Sequence, residues 1–142
     1  MIVTMLLRCL HGKRQRCARP GGVIWEDKLW FVRHVPSPYA LAGWIMFHTQ
    51  RHVQGPTHFS DEEAVAFGPV LRHVTRMLEK INGALRVYLV AFGESSPHMH
   101  AHLIPRYSDL PSEYTAFGVA DLTRAVASGT VPGVPEDDTP PS

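Results

Sequence analysis

From residue 21 onward, short apolar runs alternate with polar breaks. Val23-Ile24-Trp25 and Leu29-Trp30-Phe31-Val32 flank Glu26-Asp27-Lys28, and β-branched and aromatic residues on both sides of a polar turn predict a β-hairpin. Pro36 and Pro38 interrupt the chain. Trp44-Ile45-Met46-Phe47-His48 is apolar almost throughout, which predicts a central strand. After Ser60 the period changes: Ala64, Phe67, Leu71, Val74, Leu78 and Ile81 recur at helical spacing. Ser60 can cap this helix while Glu63 reaches back, and Gly83 suits a left-handed C-terminal cap. Pro69 lies inside, where it removes one backbone hydrogen bond and predicts a bend. Leu85 to Phe92 and Met99 to Pro105 read as two further strands, and Asp121 to Ala127 as a short last helix. Strands, helix, strands in that order predict an α+β domain with a largely antiparallel sheet.

The ends read differently. Residues 1–20 show no clear period and predict a loosely held arm before a domain over 21–128. From 129 to 142, further prolines and an acidic cluster predict a disordered tail. With 142 residues, 44% hydrophobic and 19% charged, the chain suits one soluble globular domain with a core of its own. A net charge of +1 argues against a nucleic-acid polymer as partner but leaves room for a small anionic ligand. The opening Met1 to Leu7 is apolar but short, and its basic residues follow it. That order argues against a signal peptide, and no later stretch approaches a membrane span. Cys9 and Cys17 are too few for a secreted disulfide scaffold, so a reducing cytoplasm is the expectation.

Nine histidines change the picture most. Three of them fall in His98-Met99-His100-Ala101-His102. On a strand, alternate side chains share a face, so all three imidazoles would project together, roughly 6.6–7 Å apart. Met99, Ala101 and Leu103 would point to the buried side. Packing accounts for the apolar positions but not for three histidines opposite them. Three readings stand: a polar solvent-facing strand, a zinc site of the His-x-His kind, and a nucleophilic imidazole oriented by its neighbours. No carboxylate lies within the motif; the nearest are Glu94 and Asp109, which weakens the zinc reading, since metal-bound imidazoles are commonly backed by carboxylates.

His98-Met99-His100-Ala101-His102-Leu103-Ile104 resembles the histidine-triad (HIT) pattern, His-apolar-His-apolar-His-apolar-apolar, at every position. Pro97 before it and Pro105-Arg106 after it resemble bacterial members of that superfamily. Upstream, Gly43 to Val53 resembles the strand ending in an Arg/Lys-His pair that precedes the family's helix, here Arg51-His52. The likeness covers about residues 23 to 107. It implies the HIT-like α+β fold, an antiparallel sheet of about five strands with one long helix and a short C-terminal helix. It also implies a homodimer whose two sheets continue across the interface.

For chemistry, the resemblance implies that His100 attacks the α-phosphate of a nucleotide phosphoanhydride or phosphoramidate. A nucleotidyl-histidine forms, and water or another acceptor releases it as a nucleoside monophosphate. Dinucleoside polyphosphates and nucleoside phosphoramidates fit equally. His98 and His102 would orient His100 and donate hydrogen bonds to phosphate oxygens. Ser95 or Ser96 stands where relatives place a hydroxyl that assists the leaving group, and Arg106 or Arg51 could assist phosphate binding. His102, where a transferase branch carries glutamine, places the chain with the hydrolase-like branches. No cofactor is required. The alternatives are a nucleotide-binding or regulatory module with little turnover and a zinc protein using the triplet as ligands.

The chain departs from the family in places. Several members carry a fourth histidine where this chain has Trp44, which could instead wall a base or sugar. No acid matches the family's ribose-binding residue, and Asp27 reads as a turn residue. Some members hold a structural zinc through two cysteines and the histidine of the Arg-His pair, here Cys9, Cys17 and His52. Seven residues separate the two cysteines, whereas zinc pairs favour two to four. His34, His48, His58 and His73 occur singly and read as incidental.

Overall fold

A computed structural model of the chain describes residues 22–36 and 38–134; the predicted arm over 1–20, with Cys9 and Cys17, and residues 135–142 of the predicted tail lie outside them. Five strands form one antiparallel sheet: β1 (Val23–Glu26), β2 (Trp30–His34), β3 (Ile45–Thr49), β4 (Arg86–Val90) and β5 (His100–Arg106). Their spatial order is β1-β2-β3-β5-β4, which puts the last strand between the third and fourth. Helix α1 (Asp61–Asn82) and helix α2 (Val119–Ala127) complete the α+β architecture.

The hairpin forms as its pattern predicts. Asp27 closes the turn, its Oδ1 accepting the N–H groups of Leu29 and Trp30 at 2.8 Å each. A register shift between Val23 and Trp25 marks a bulge, and the adjacent Ile24 and Trp25 both join the same core. Helix α1 starts on the reciprocal cap read from sequence. Ser60 Oγ accepts from the Glu63 N–H at 3.1 Å, and Glu63 Oε1 accepts from the Ser60 N–H at 2.8 Å. Gly83 ends it in the left-handed conformation, φ 68°. The helix continues through Pro69 because the proline sits on the solvent side, like the exposed Val65 whose carbonyl loses its partner.

Each face of the sheet has its own core. On one, Val74 and Leu78 of α1 pack onto Trp30, Val32, Ile45, Phe47, Met99, Ala101 and Leu103. Most of these are fully buried, each contributing roughly 1.5–3 kcal/mol. Phe67, Leu71 and Ile81 join as half-buried neighbours, as their spacing predicts, together with Val70 and Met77. Ala64 does not: it is exposed in the first turn, before α1 settles onto the sheet. On the other face, Val119 and Leu122 of α2 pack onto Trp44, Ala40 and Ile104. This second core covers the β4 side of that face and leaves the end carrying the histidines uncapped by a helix. Beyond α2, Val131 packs with the same cluster and the Val134 N–H donates to the Tyr39 carbonyl at 2.8 Å, so residues 129–134 stay against the sheet domain.

Candidate functional site

Strand alternation and register build the site. In β3, Ile45 and Phe47 face α1, so Trp44, Met46 and His48 face the other way. Met99, just before β5, and Ala101 and Leu103 within it face α1, so His100, His102 and Ile104 face the other way. Antiparallel pairing then sets Phe31 beside His48, His48 beside His100, and Met46 beside His102. A row of rings crosses three strands. Phe31 stacks flat on His48, with centroids 4.5 Å apart and planes 1° apart. His48 lies 6.1 Å from His100, and His100 lies 5.7 Å from His102 at 80°.

His98 differs from its expected place. Regular pairing in β5 begins at His100, so His98 belongs to the approach and not to the strand. Its ring reaches the site by hydrogen bonding, with Nε2 2.6 Å from the Thr49 carbonyl at the end of β3. His52 leans on the same ring, centroids 5.1 Å apart. The turn before His98 is shaped by Ser96, whose Oγ accepts the His98 N–H at 3.4 Å. Ser95, next to it, is exposed.

These bonds assign protons. A carbonyl only accepts, so each imidazole nitrogen facing one carries hydrogen. His98 therefore bears its hydrogen on Nε2. His100 places Nδ1 2.9 Å from the His98 carbonyl, so its hydrogen is on Nδ1 and a neutral ring keeps a lone pair on Nε2. Trp44 Nε1 donates to His102 Nδ1 at 3.1 Å, and the two rings meet edge to face at 78°. An indole nitrogen only donates, so His102 has its lone pair on Nδ1 and its hydrogen on Nε2. The center thus offers one free lone pair on the middle ring and an N–H on the third. Burial lowers the His102 pKa, with His100 adding a smaller push, so it stays neutral near pH 7.

His48, read from sequence as incidental, is the floor of the site. It is 8% exposed, and burial lowers its pKa to about 4, helped by the positive charge of Arg33 and by the triad imidazoles. Its Nε2 has no protein partner among the described residues. It is a neutral ring beside His100, across the β3–β5 pair. The signal was present in the alternation of Trp44, Met46 and His48, but nothing in the sequence states that β3 pairs with β5 in this register.

The other candidates scatter. Trp44 stands at the site, as expected, but with its polar atom turned to His102. Arg106 lies six residues along β5 from His100, roughly 20 Å away at strand rise, and its guanidinium binds the Tyr107 carbonyl at 3.0 Å. Arg51 turns to the start of α1, bonding Glu63 Oε1 through Nε at 3.0 Å and Nη2 at 2.6 Å, and the His58 carbonyl at 3.1 Å. That pairing holds the Glu63 carboxyl below the usual carboxylate range. His58 and His73 are exposed, whereas His34 is buried and its pKa is lowered by burial. Among the described residues, no three His, Cys, Asp or Glu side chains are grouped to hold a metal ion. Nor is any helix there long and apolar enough to cross a membrane.

No protein-family model and no curated protein sequence matches the chain. Solved structures do. A HIT-family protein from Bacillus subtilis is 17% identical with a TM-score of 0.56, covering 77% of this chain and 87% of that one. The C. elegans NitFhit protein is 22% identical with a TM-score of 0.54; the match covers 72% of this chain but only 26% of that larger protein. A Plasmodium falciparum diadenosine triphosphate hydrolase is 15% identical with a TM-score of 0.55, covering 92% and 100%. At these identities the likeness shows a shared fold.

Proposed function

We propose that this chain, which has the fold of the histidine-triad proteins, is a nucleotide hydrolase in which His100 is the nucleophile. The observation that carries the reading is the bond between His100 Nδ1 and the His98 carbonyl. It holds hydrogen on the nitrogen facing the protein and leaves the Nε2 lone pair available for attack.

In this reading Nε2 of His100 attacks the α-phosphorus. A P–N bond forms as the bond from phosphorus to the leaving oxygen or nitrogen breaks, and the leaving group takes a proton from the Ser95–Ser96 edge or from water. The Nε2–H of His102 donates to a non-bridging oxygen whose charge grows during transfer. Water then attacks phosphorus and the P–N bond breaks; the water's proton returns to the Ser95–Ser96 edge or to solvent, His100 regains its Nε2 lone pair, and a nucleoside monophosphate departs. Dinucleoside polyphosphates and nucleoside phosphoramidates are the proposed substrates; the first class is supported by the likeness to a diadenosine triphosphate hydrolase. A homodimer is part of the proposal. β4 ends the sheet, and Leu85 and Leu89 there are exposed, a surface that a second copy would cover.

The test is a panel of adenylyl and guanylyl substrates with rapid acid quench. Turnover with a trapped, acid-labile nucleotidyl adduct, lost in His100→Ala, is the expected result. Persistent turnover in that variant, or turnover abolished by a chelator and restored by zinc, overturns it. Nucleotide protection against thermal unfolding without turnover would show a binding module instead.

A further inference from the structure

We infer that Trp44 is a positioning residue whose indole N–H locks His102 in the Nε2–H form and keeps it from taking a second proton on Nδ1. The inference rests on the reading above, since it concerns the same site. It assigns Trp44 a role other than that of an apolar wall.

The argument starts from what an indole can do. It has one N–H and no acceptor, so a bond to His102 Nδ1 at 3.1 Å requires a lone pair there. Protonating Nδ1 would set two N–H groups against each other. His102 could accept that proton only if Trp44 withdrew, and Trp44 has nowhere to go. It is 8% exposed and packed against Ile104, Val119 and Leu122. The Trp44 backbone N–H donates to the Leu41 carbonyl at 3.3 Å, and the Trp44 carbonyl accepts from the Val35 backbone N–H at 3.5 Å. Just before it, Gly43 turns the chain at φ 79°, a conformation that side-chain-bearing residues rarely adopt. The Tyr107 hydroxyl pins the same turn by donating to the Ala42 carbonyl at 2.6 Å. Helix α2 thus reaches the chemistry through one side chain: it clamps Trp44, and Trp44 sets His102.

The remaining surroundings of His102 do not supply a substitute donor. His100 faces it from its own strand with Nδ1 committed to the His98 carbonyl. Met46 flanks it from β3 and Val90 from β4. His48 lies farther along the same face, and Arg33 stands across Met46, two strands from His102, where its buried Nε–H does not bond His102. Asp121 and Arg124 of α2 are paired with each other and exposed. A donor lost at Trp44 is therefore not replaced. The consequence for the reaction is a division of labour: His102 donates a fixed hydrogen bond to phosphate and does not cycle protons, so any proton given to the leaving group comes from elsewhere in the site.

Ring-nitrogen NMR of the full-length protein, with ¹⁵N-labelled histidine, tests this without requiring turnover. The expected wild-type signature is a single neutral His102 tautomer with hydrogen on Nε2. A His102 ring protonated on Nδ1 near pH 7 overturns the proposal. In Trp44→Phe, a preference of roughly tenfold is lost, and a second, Nδ1–H form of His102 becomes visible; an unchanged signature in the folded variant also overturns it. Trp44→His, which retains an N–H donor, should restore part of the preference. If the substrate panel gives turnover, Trp44→Phe should lower kcat with little change in KM, whereas a rise in KM alone would show a substrate wall and sink the idea. Failure of the panel would strike the hydrolase reading and leave the tautomer result standing.

Discussion

The two faces of the sheet solve different problems with the same strands. Against α1, side chains from β2, β3 and β5 interlock as aliphatic and aromatic groups, and the energy there is that of water excluded from apolar surface. On the opposite face, alternate residues of segment 44–48 and of β5 supply Trp44, packed on α2, and His48, His100 and His102 beyond it, each held by a directional contact. A strand's twofold period lets one segment, residues 99–104, serve both ends without compromise. Packing and polar positioning are thereby separated residue by residue.

That separation can be broken or sharpened by substitution. His100→Ala should cut turnover at least about a thousandfold while shifting the urea-unfolding free energy by only about 1 kcal/mol. A residue on the opposite face of the same strand should do the reverse. Leu103→Ala, fully buried against α1, should cost about 2–5 kcal/mol in urea denaturation, with turnover per folded molecule little changed. If both variants lost stability equally, the two faces would not be independent.

Acid should expose the histidine face next. His48 stays neutral in the folded chain until about pH 4, but its ordinary pKa is 6.5. Between these values the unfolded chain binds more protons, so stability falls as pH drops and His48 adds no further loss below about 4. His102 and His34, also lowered by burial, act in the same direction. Urea midpoints at pH 7 and pH 5 should differ, and His48→Phe should reduce the difference; an equal difference in the variant would remove His48 from the account. The smallest effect belongs to the α1 cap: Ser60→Ala should cost about 1 kcal/mol and leave the pH dependence of turnover where it was.

Local features were readable in advance. The helix from Ser60 to Gly83, the hairpin turn at Asp27 and the apolar alternation of residues 99–103 depend on neighbours a few positions apart, and the chain spells those out. The histidine cluster proposed as the reaction centre was legible because its three histidines are nearly contiguous and resemble a known pattern. His48 and the Trp44–His102 bond were not. Both depend on which strand lies beside which and in what register, information held in packing across the whole sheet. Trp44 reads from sequence as a wall because its ring is large and apolar; the bond from its single N–H to His102 depends on packing that the sequence does not spell out. Arg106 looked close because it is close in sequence, but an extended strand carries it away from His100.

The placement of β5 between β3 and β4 has a consequence in time. Trp44 and His102 are 58 residues apart in the chain, and His98 meets Thr49 across 49. The hairpin and α1 are assembled from near neighbours, whereas this junction needs a long loop to close, a step that costs chain entropy and slows folding. Contact order therefore predicts that the histidine ring set closes after the hairpin and helix. In the proposed mechanism a half-folded molecule would lack a fixed His100, so turnover would report the chains that have finished folding.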